Sequence, residues 1–176
     1  MKHFDEIYEQ AEDNYGVITT AAAVELGASR SELSRFTKAG WLRRLGNGVY
    51  KLTRHTPTPL DAYAEAVALS GPDSWIHGES VLAMCELALT SPSKISVATK
   101  RRLRKALPPW MTIVKPEKNE RVVLYEGIPV QYIPDAIRSC RNAILPERLR
   151  QAVEDAYANG LITEVEAVKL KEELAP

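Results

Sequence analysis

Ligating and nucleophilic side chains are scarce in this chain of 176 residues, which has 2 cysteines and 3 histidines. His3, His55 and His77 pair with no cysteine or carboxylate at metal-ligand spacing, so neither a metal site nor a cofactor is expected. Cys85 and Cys140 form no CxxC and lie far apart in sequence. That leaves one disulfide or two free thiols open, and a reducing cytosol favours the thiols. There is no GxSxG, no phosphate-binding glycine loop and no HExxH. His77-Gly78-Glu79-Ser80 brings a histidine and a serine together, but at a helix start such residues more often cap than catalyse. No catalytic residue is assigned, and no enzymatic activity is expected. Long apolar runs and a signal-peptide pattern are also missing, so the expectation is a cytoplasmic protein with no membrane partner. The formal net charge is zero, which taken alone argues against a nucleic-acid binder.

What is present is an asymmetry that the average hides. Between Val17 and Thr56 the bases Arg30, Arg35, Lys38, Arg43, Arg44, Lys51 and Arg54 meet only Glu25 and Glu32. Asp5, Glu6, Glu9, Glu12 and Asp13 of the first helix restore neutrality, from what is expected to be a face away from DNA. The organising stretch is SRSELSRFTKAGWLRRLGNGVYKL, Ser29 to Leu52. Ser29 and Glu32 form the reciprocal capping pair that opens a helix at Arg30. At about 100° per residue, Arg30, Ser31, Ser34, Arg35 and Lys38 share one arc of about 140°, with Leu33, Phe36 and Ala39 on the other side. Gly40 supplies the left-handed closing residue. Trp41–Leu45 and Val49–Leu52 then flank Gly46-Asn47-Gly48 as a basic hairpin.

Upstream, Phe4, Ile7, Tyr8 and Ala11 line one face of a packing helix over about 4–14. Thr19 or Thr20 caps a short second helix ended by Gly27, giving helix, tight turn, helix. An αα corner in an all-α core would look alike, but the basic arc and the hairpin together argue for a winged helix-turn-helix. The candidate DNA-facing set is Thr20, Ser29, Arg30, Ser31, Ser34, Arg35 and Lys38, with Arg43, Arg44, Asn47 and Lys51 in the wing. Arginine suits guanine edges, the serines suit phosphates or base edges, and the lysines neutralise phosphates. Strand alternation lets only one of Arg43 and Arg44 face DNA, and a solvated edge strand is the competing explanation for both.

His55-Thr56-Pro57-Thr58-Pro59 is the expected domain break, because prolines spaced by threonines join neither flanking element. Thr58 is expected to cap a helix that buries Leu60, Tyr63, Ala64, Val67 and Ala68. A further helix over about 78–87 turns Val81, Leu82, Cys85 and Ala88 inward. Lys94–Ala98, Trp110–Val114, Arg121–Tyr125 and Ile128–Tyr132 read as short strands of a small, mostly antiparallel sheet. After Pro134 the chain returns to helix, with Leu149, Ala152, Val153, Ala156 and Tyr157 as one stripe, and Thr163 with Glu166 opens a terminal helix. Lys100, Arg101, Arg102, Arg104 and Lys105 form the densest charge run. It reads either as a solvated loop or as a surface for phosphate or an acidic partner.

The run GVITTAAAVELGASRSELSRFTKAGWLRRLGNGVYKL resembles the N-terminal winged helix of AbiEi-type antitoxins, from type IV (abortive-infection, AbiE) toxin–antitoxin pairs. HGESVL, SKISVAT, GIPVQYIPDAIRS and AVEDAYANGLITEVEAVKL are similar in order and character to that family's C-terminal region. The resemblance implies an autorepressor that binds operator DNA in its own promoter and antagonises a nucleotidyltransferase toxin, with more than one copy per operator. It places Arg30, Ser31, Ser34, Arg35 and Lys38 in the recognition helix and Arg43, Arg44, Asn47 and Lys51 in the wing. The expected architecture is α+β: a winged helix-turn-helix over 1–56, then a helical domain with a small sheet over 57–176 that serves as antitoxin or effector. The competing functions are a stand-alone winged-helix regulator whose second domain senses a ligand, and a DNA-targeted enzyme.

Overall fold

The computed structural model describes residues 3–46, 48–104 and 106–175. The roles expected of Asn47 and Lys105 lie outside the described residues. The protein is α+β and divides into two compact units, Met1–Pro72 with Leu103–Lys105, and Asp73–Arg102 with Ala106–Pro176.

The first unit runs α1 (Phe4–Glu12), β1 (Val17–Thr19), α2 (Thr20–Glu25), α3 (Arg30–Lys38), β2 (Leu42–Gly46), β3 (Val49–Leu52) and α4 (Asp61–Ser70). Its sheet is antiparallel in the order β1-β3-β2. Strand β1 is too short to show alternation, and its Val17 and Ile18 read in sequence only as a connection. It becomes a strand because β3 offers it a free edge. The core is built from Ile7, Ala11, Ile18, Ala23, Leu33, Phe36, Leu42 and Leu52. The ring of Phe4 lies 5.1 Å from that of Phe36 and 4.5 Å from that of Trp41. The alternating apolar residues of α1 and α3 therefore meet in one aromatic cluster, and truncating the fully buried Phe36 would cost about 3–5 kcal/mol.

Helix α4 departs from expectation in two ways. It begins at Asp61, two residues later than the Thr58 cap implies. The Thr58 hydroxyl donates to Asp61 Oδ1 at 2.7 Å and accepts from the Leu60 N–H at 3.3 Å. Its buried residues are Asp61, Ala64, Ala66, Leu69 and Ser70, while Leu60, Tyr63, Val67 and Ala68 are half-buried. The helix is rotated because it lies against β1 and β2 and carries a carboxylate inward to a lysine. For the same reason the compact units part at Pro72, and the expected break at Pro57 to Pro59 falls inside the first unit.

The second unit runs β4 (Ser74–Ile76), α5 (Glu79–Met84), β5 (Ile95–Thr99), β6 (Met111–Val114), β7 (Val122–Tyr125), β8 (Ile128–Gln131), α6 (Ile133–Ser139), α7 (Pro146–Ala158) and α8 (Glu164–Glu173). The sheet order is β6-β5-β4-β8-β7. It is mixed, not mostly antiparallel: β4–β8 and β5–β6 are parallel, β4–β5 and β7–β8 antiparallel. The sequence pattern shows no β4, and that strand is the sheet's centre. Being buried along its whole length, it has no polar alternation to read. The Thr163/Glu166 capping box opens α8 as expected. Tyr157 is 48% exposed and stands outside the α7 stripe of Leu149, Ala152, Val153 and Ala156. Cys85 and Cys140 are free and buried. Burial pushes their thiols up, to about 12 and about 11.

Candidate nucleic-acid interface

Helix α3 is positioned by its N-terminal end. The Glu32 N–H donates to the Ser29 hydroxyl at 3.2 Å, and the Ser29 N–H donates to Glu32 Oε2 at 2.9 Å. The Ser29 hydroxyl is thereby committed to the cap, and it lies 2.8 Å from that of Ser31. His3 Nδ1 sits 3.2 Å from Glu32 Oε1 and Arg35 Nη2 3.7 Å from the same oxygen. The Ser29 backbone N–H, followed by the His3 ring, holds the Glu32 carboxyl down to about 2. Ser29→Ala is expected to cost about 1 kcal/mol through the missing cap, measured by urea unfolding.

With Leu33 and Phe36 buried, the opposite face of α3 presents Arg30, Ser31, Ser34, Arg35 and Lys38, all exposed. The residues of the expected arc are thus brought together on one surface about 13 Å long. Thr20 is half-buried, and its N–H donates to the Gly48 carbonyl at 2.8 Å, tying the start of α2 to the hairpin turn. The side-chain cap of α2 is Thr19, whose hydroxyl accepts from the Ala22 N–H at 3.1 Å.

In the hairpin, Arg43 lies opposite Lys51 and Arg44 opposite Tyr50. Alternation therefore separates the two arginines. Arg44 shares the sheet face that carries Leu42 and Leu52 into the core beneath α3, and its Nε donates to the Gly46 carbonyl at 3.1 Å. Arg43 shares the other face, where α4 lies, with Nη2 3.8 Å from Glu65.

Lys51 is the clear correction. It is 6% exposed, with Nζ 2.6 Å from both Asp61 Oδ2 and Glu65 Oε1. It cannot reach a phosphate while it holds α4 to the sheet. Around it, His55 Nε2 is 3.1 Å from Asp61 and its Nδ1 3.4 Å from Glu12. Gly16 (φ +76°) makes room for that ring, since a Cβ there would come within 2.5 Å of it. Burial raises the Asp61 carboxyl, but hydrogen bonds from Lys51, Thr58 and His55 outweigh it and bring the group down to about 2. Sequence reasoning missed this cluster, although Asp61 and Glu65 at i, i+4 signal two carboxylates on one helix face.

Both depressed carboxyls tie stability to pH in the same sense. Their folded values lie below the ordinary 4.5 and 3.8, so their contribution is complete above those values and is lost as pH falls toward about 2. The unfolding midpoint of the first unit is expected to fall through that window. Asp61→Asn should flatten the profile there, as read by urea melts from pH 5 to 2.

Lys100, Arg101, Arg102 and Arg104 are exposed and lie outside helices and strands. Arg101 pairs with Asp73 at 3.2 Å. The division between units falls inside this run, with Lys100 to Arg102 in the second unit and Leu103–Lys105 in the first.

Residues 5–53 match the family model for “Transcriptional regulator, AbiEi antitoxin”. The AbiEi match spans α1 to β3 and takes in the capped helix, its basic face and the hairpin. No curated protein matches the chain in sequence. Among solved structures the chain is similar to the crystal structure of RV2827C protein from Mycobacterium tuberculosis. The two share 14% identity over 97% of this chain and 80% of that one, with a TM-score of 0.45. Among the described residues no helix is long and apolar enough to cross a membrane, and no group of three or more His, Cys, Asp or Glu is arranged to hold a metal ion.

Proposed function

We propose that this protein is an AbiE-type antitoxin that represses its own promoter and neutralises a partner nucleotidyltransferase toxin. The observation that carries the reading is the exposed cationic face of α3, joined directly to a hairpin and lying within the AbiEi match. In this reading α2 and α3 form a helix-turn-helix with β2–β3 as its wing. Helix α3 enters the major groove, where Arg30 or Arg35 reads guanine O6 and N7 and Ser31, Ser34 and Lys38 engage phosphates or base edges. Ser29 caps α3 and Thr20 ties the start of α2 to the hairpin turn, so both position the DNA-facing elements. Arg44 follows the backbone beside the groove, and Lys51 belongs to the framework. The second unit carries toxin neutralisation and has no catalytic role.

Two measurements test this. Purified protein should shift a fragment of its own promoter, with affinity falling steeply with salt, and footprints should repeat at roughly 10 to 10.5 base pairs or a multiple. Co-expression with the cognate nucleotidyltransferase toxin should restore the growth that the toxin alone arrests. Binding to the promoter no tighter than to scrambled DNA, together with no rescue, would reject the reading.

A further inference from the structure

Between β4, the loop from Lys115 to Glu120, and α6, the second unit has an open cleft of about 460 Å³. Its size is that of small-molecule sites, which run roughly from 300 to 1,000 Å³. Its chemistry is unusual for one, because every residue that lines it has a polar side chain. At its floor lies Glu120, whose side chain is 4% exposed. The Trp75 indole donates to Glu120 Oε2 at 2.9 Å and the Gln131 amide to Oε1 at 2.8 Å, while His77 Nε2 is 2.9 Å from Oε1. The carboxylate is an acceptor for all three, which fixes the proton of His77 on Nε2. Gln131 is fixed in turn, its Oε1 accepting from the Gly78 N–H at 2.9 Å.

This leaves one ring atom uncommitted. Among the described residues His77 Nδ1 has no partner, and no buried side-chain nitrogen or oxygen lacks one. Nδ1 is therefore open at the cleft wall as a pre-oriented hydrogen-bonding atom for a ligand. At the rim, Lys115 and Lys118 are exposed and form no ion pair among the described residues. The other charges facing the cleft are largely spent. Arg138 is bound by Asp135 at 2.8 Å and by Glu173 at 2.7 Å, which leaves Glu117 as the opposing rim charge.

We infer that this cleft binds a sugar phosphate, with the phosphate on Lys115 and Lys118 and a ligand hydroxyl hydrogen-bonded to His77 Nδ1. Every lining residue brings a polar group over an aliphatic stem, and His77 is the one aromatic ring among them, so the wall suits a hydroxylated ring better than a nucleobase that needs a face to stack on. The Glu120–Trp75–Gln131 set holds the histidine in one orientation, so Nδ1 meets the cleft at a fixed place. The site uses no residue assigned to DNA contact, so its failure leaves the operator reading intact.

The test is calorimetric titration of the full chain with ribose 5-phosphate and glucose 6-phosphate, with inorganic phosphate, glucose and AMP as separate arms. Saturable binding of at least one sugar phosphate is expected, at least tenfold tighter than inorganic phosphate or glucose and no weaker than AMP. Lys115→Ala/Lys118→Ala should weaken it at least tenfold. These side chains are exposed, so the variant should melt as the parent does. His77→Ala should weaken it comparably and bring sugar phosphate and inorganic phosphate to the same affinity. Absence of saturable sugar-phosphate binding would overturn the proposal, as would equal affinity for phosphate alone, tighter binding of AMP, or affinity unchanged in the lysine variant.

Discussion

Lys51→Ala is expected to destabilise the first unit by about 3–5 kcal/mol, the range for removing one partner from a buried ion pair. The lysine stands between Asp61 and Glu65 at 2.6 Å from each, and the three side chains are 8%, 12% and 15% exposed. Without the ammonium, two carboxylates share a site that water barely reaches. Urea unfolding of the variant should show the effect, and hydrogen exchange should place it in β3 and α4. Arg44→Ala, at an exposed position, should stay within about 0.5 kcal/mol of the parent. At a temperature where both remain folded, Lys51→Ala should bind the promoter nearly as the parent does. A variant of unchanged stability and weakened DNA binding would return Lys51 to the wing.

The second large effect is on DNA. Replacing Arg30, Arg35 and Lys38 together with alanine is expected to lower promoter affinity by about a hundredfold or more. An arginine that reads a base is worth about 1–3 kcal/mol, and removing a cation that neutralises one phosphate makes the salt slope shallower by about 0.9. Because all three are exposed, the unfolding midpoint should barely move. That separates a weakened interface from a weakened fold. Arg35→Ala alone should flatten preference among operator variants if it reads a base, whereas Lys38→Ala should weaken all sequences alike. Unchanged affinity and preference in the triple variant, measured by fluorescence anisotropy, would remove α3 from the interface.

How much of this was legible depended on the range of the interactions involved. Ser29 and Glu32 are three residues apart, so the start of α3 and its basic arc follow from local rules alone, as does the Thr163/Glu166 box of α8. The four later strands also declared themselves, because each has turn formers at its ends and β-branched residues within. Strands β1 and β4 did not. Three residues carry no period, and what makes them strands is an open edge supplied by β3 in one case and by β5 and β8 in the other.

Sequence by itself determined which residues are helical at α3, which side of that helix is cationic, and that a hairpin follows directly, because helix caps, helical period and turn formers are all written in adjacent stretches of chain. Tertiary structure alone decided what each cation is for. Lys51 and Arg44 are both bases on a two-stranded hairpin and look equivalent in the chain. Packing α4 against one face of the sheet buries the first between two carboxylates and leaves the second exposed. It also decided the mixed order of the second sheet and the burial of Glu120 beneath His77. A charge is a property of the residue, but its solvation and its partner come from segments 10 to 43 positions away, and no local pattern records them.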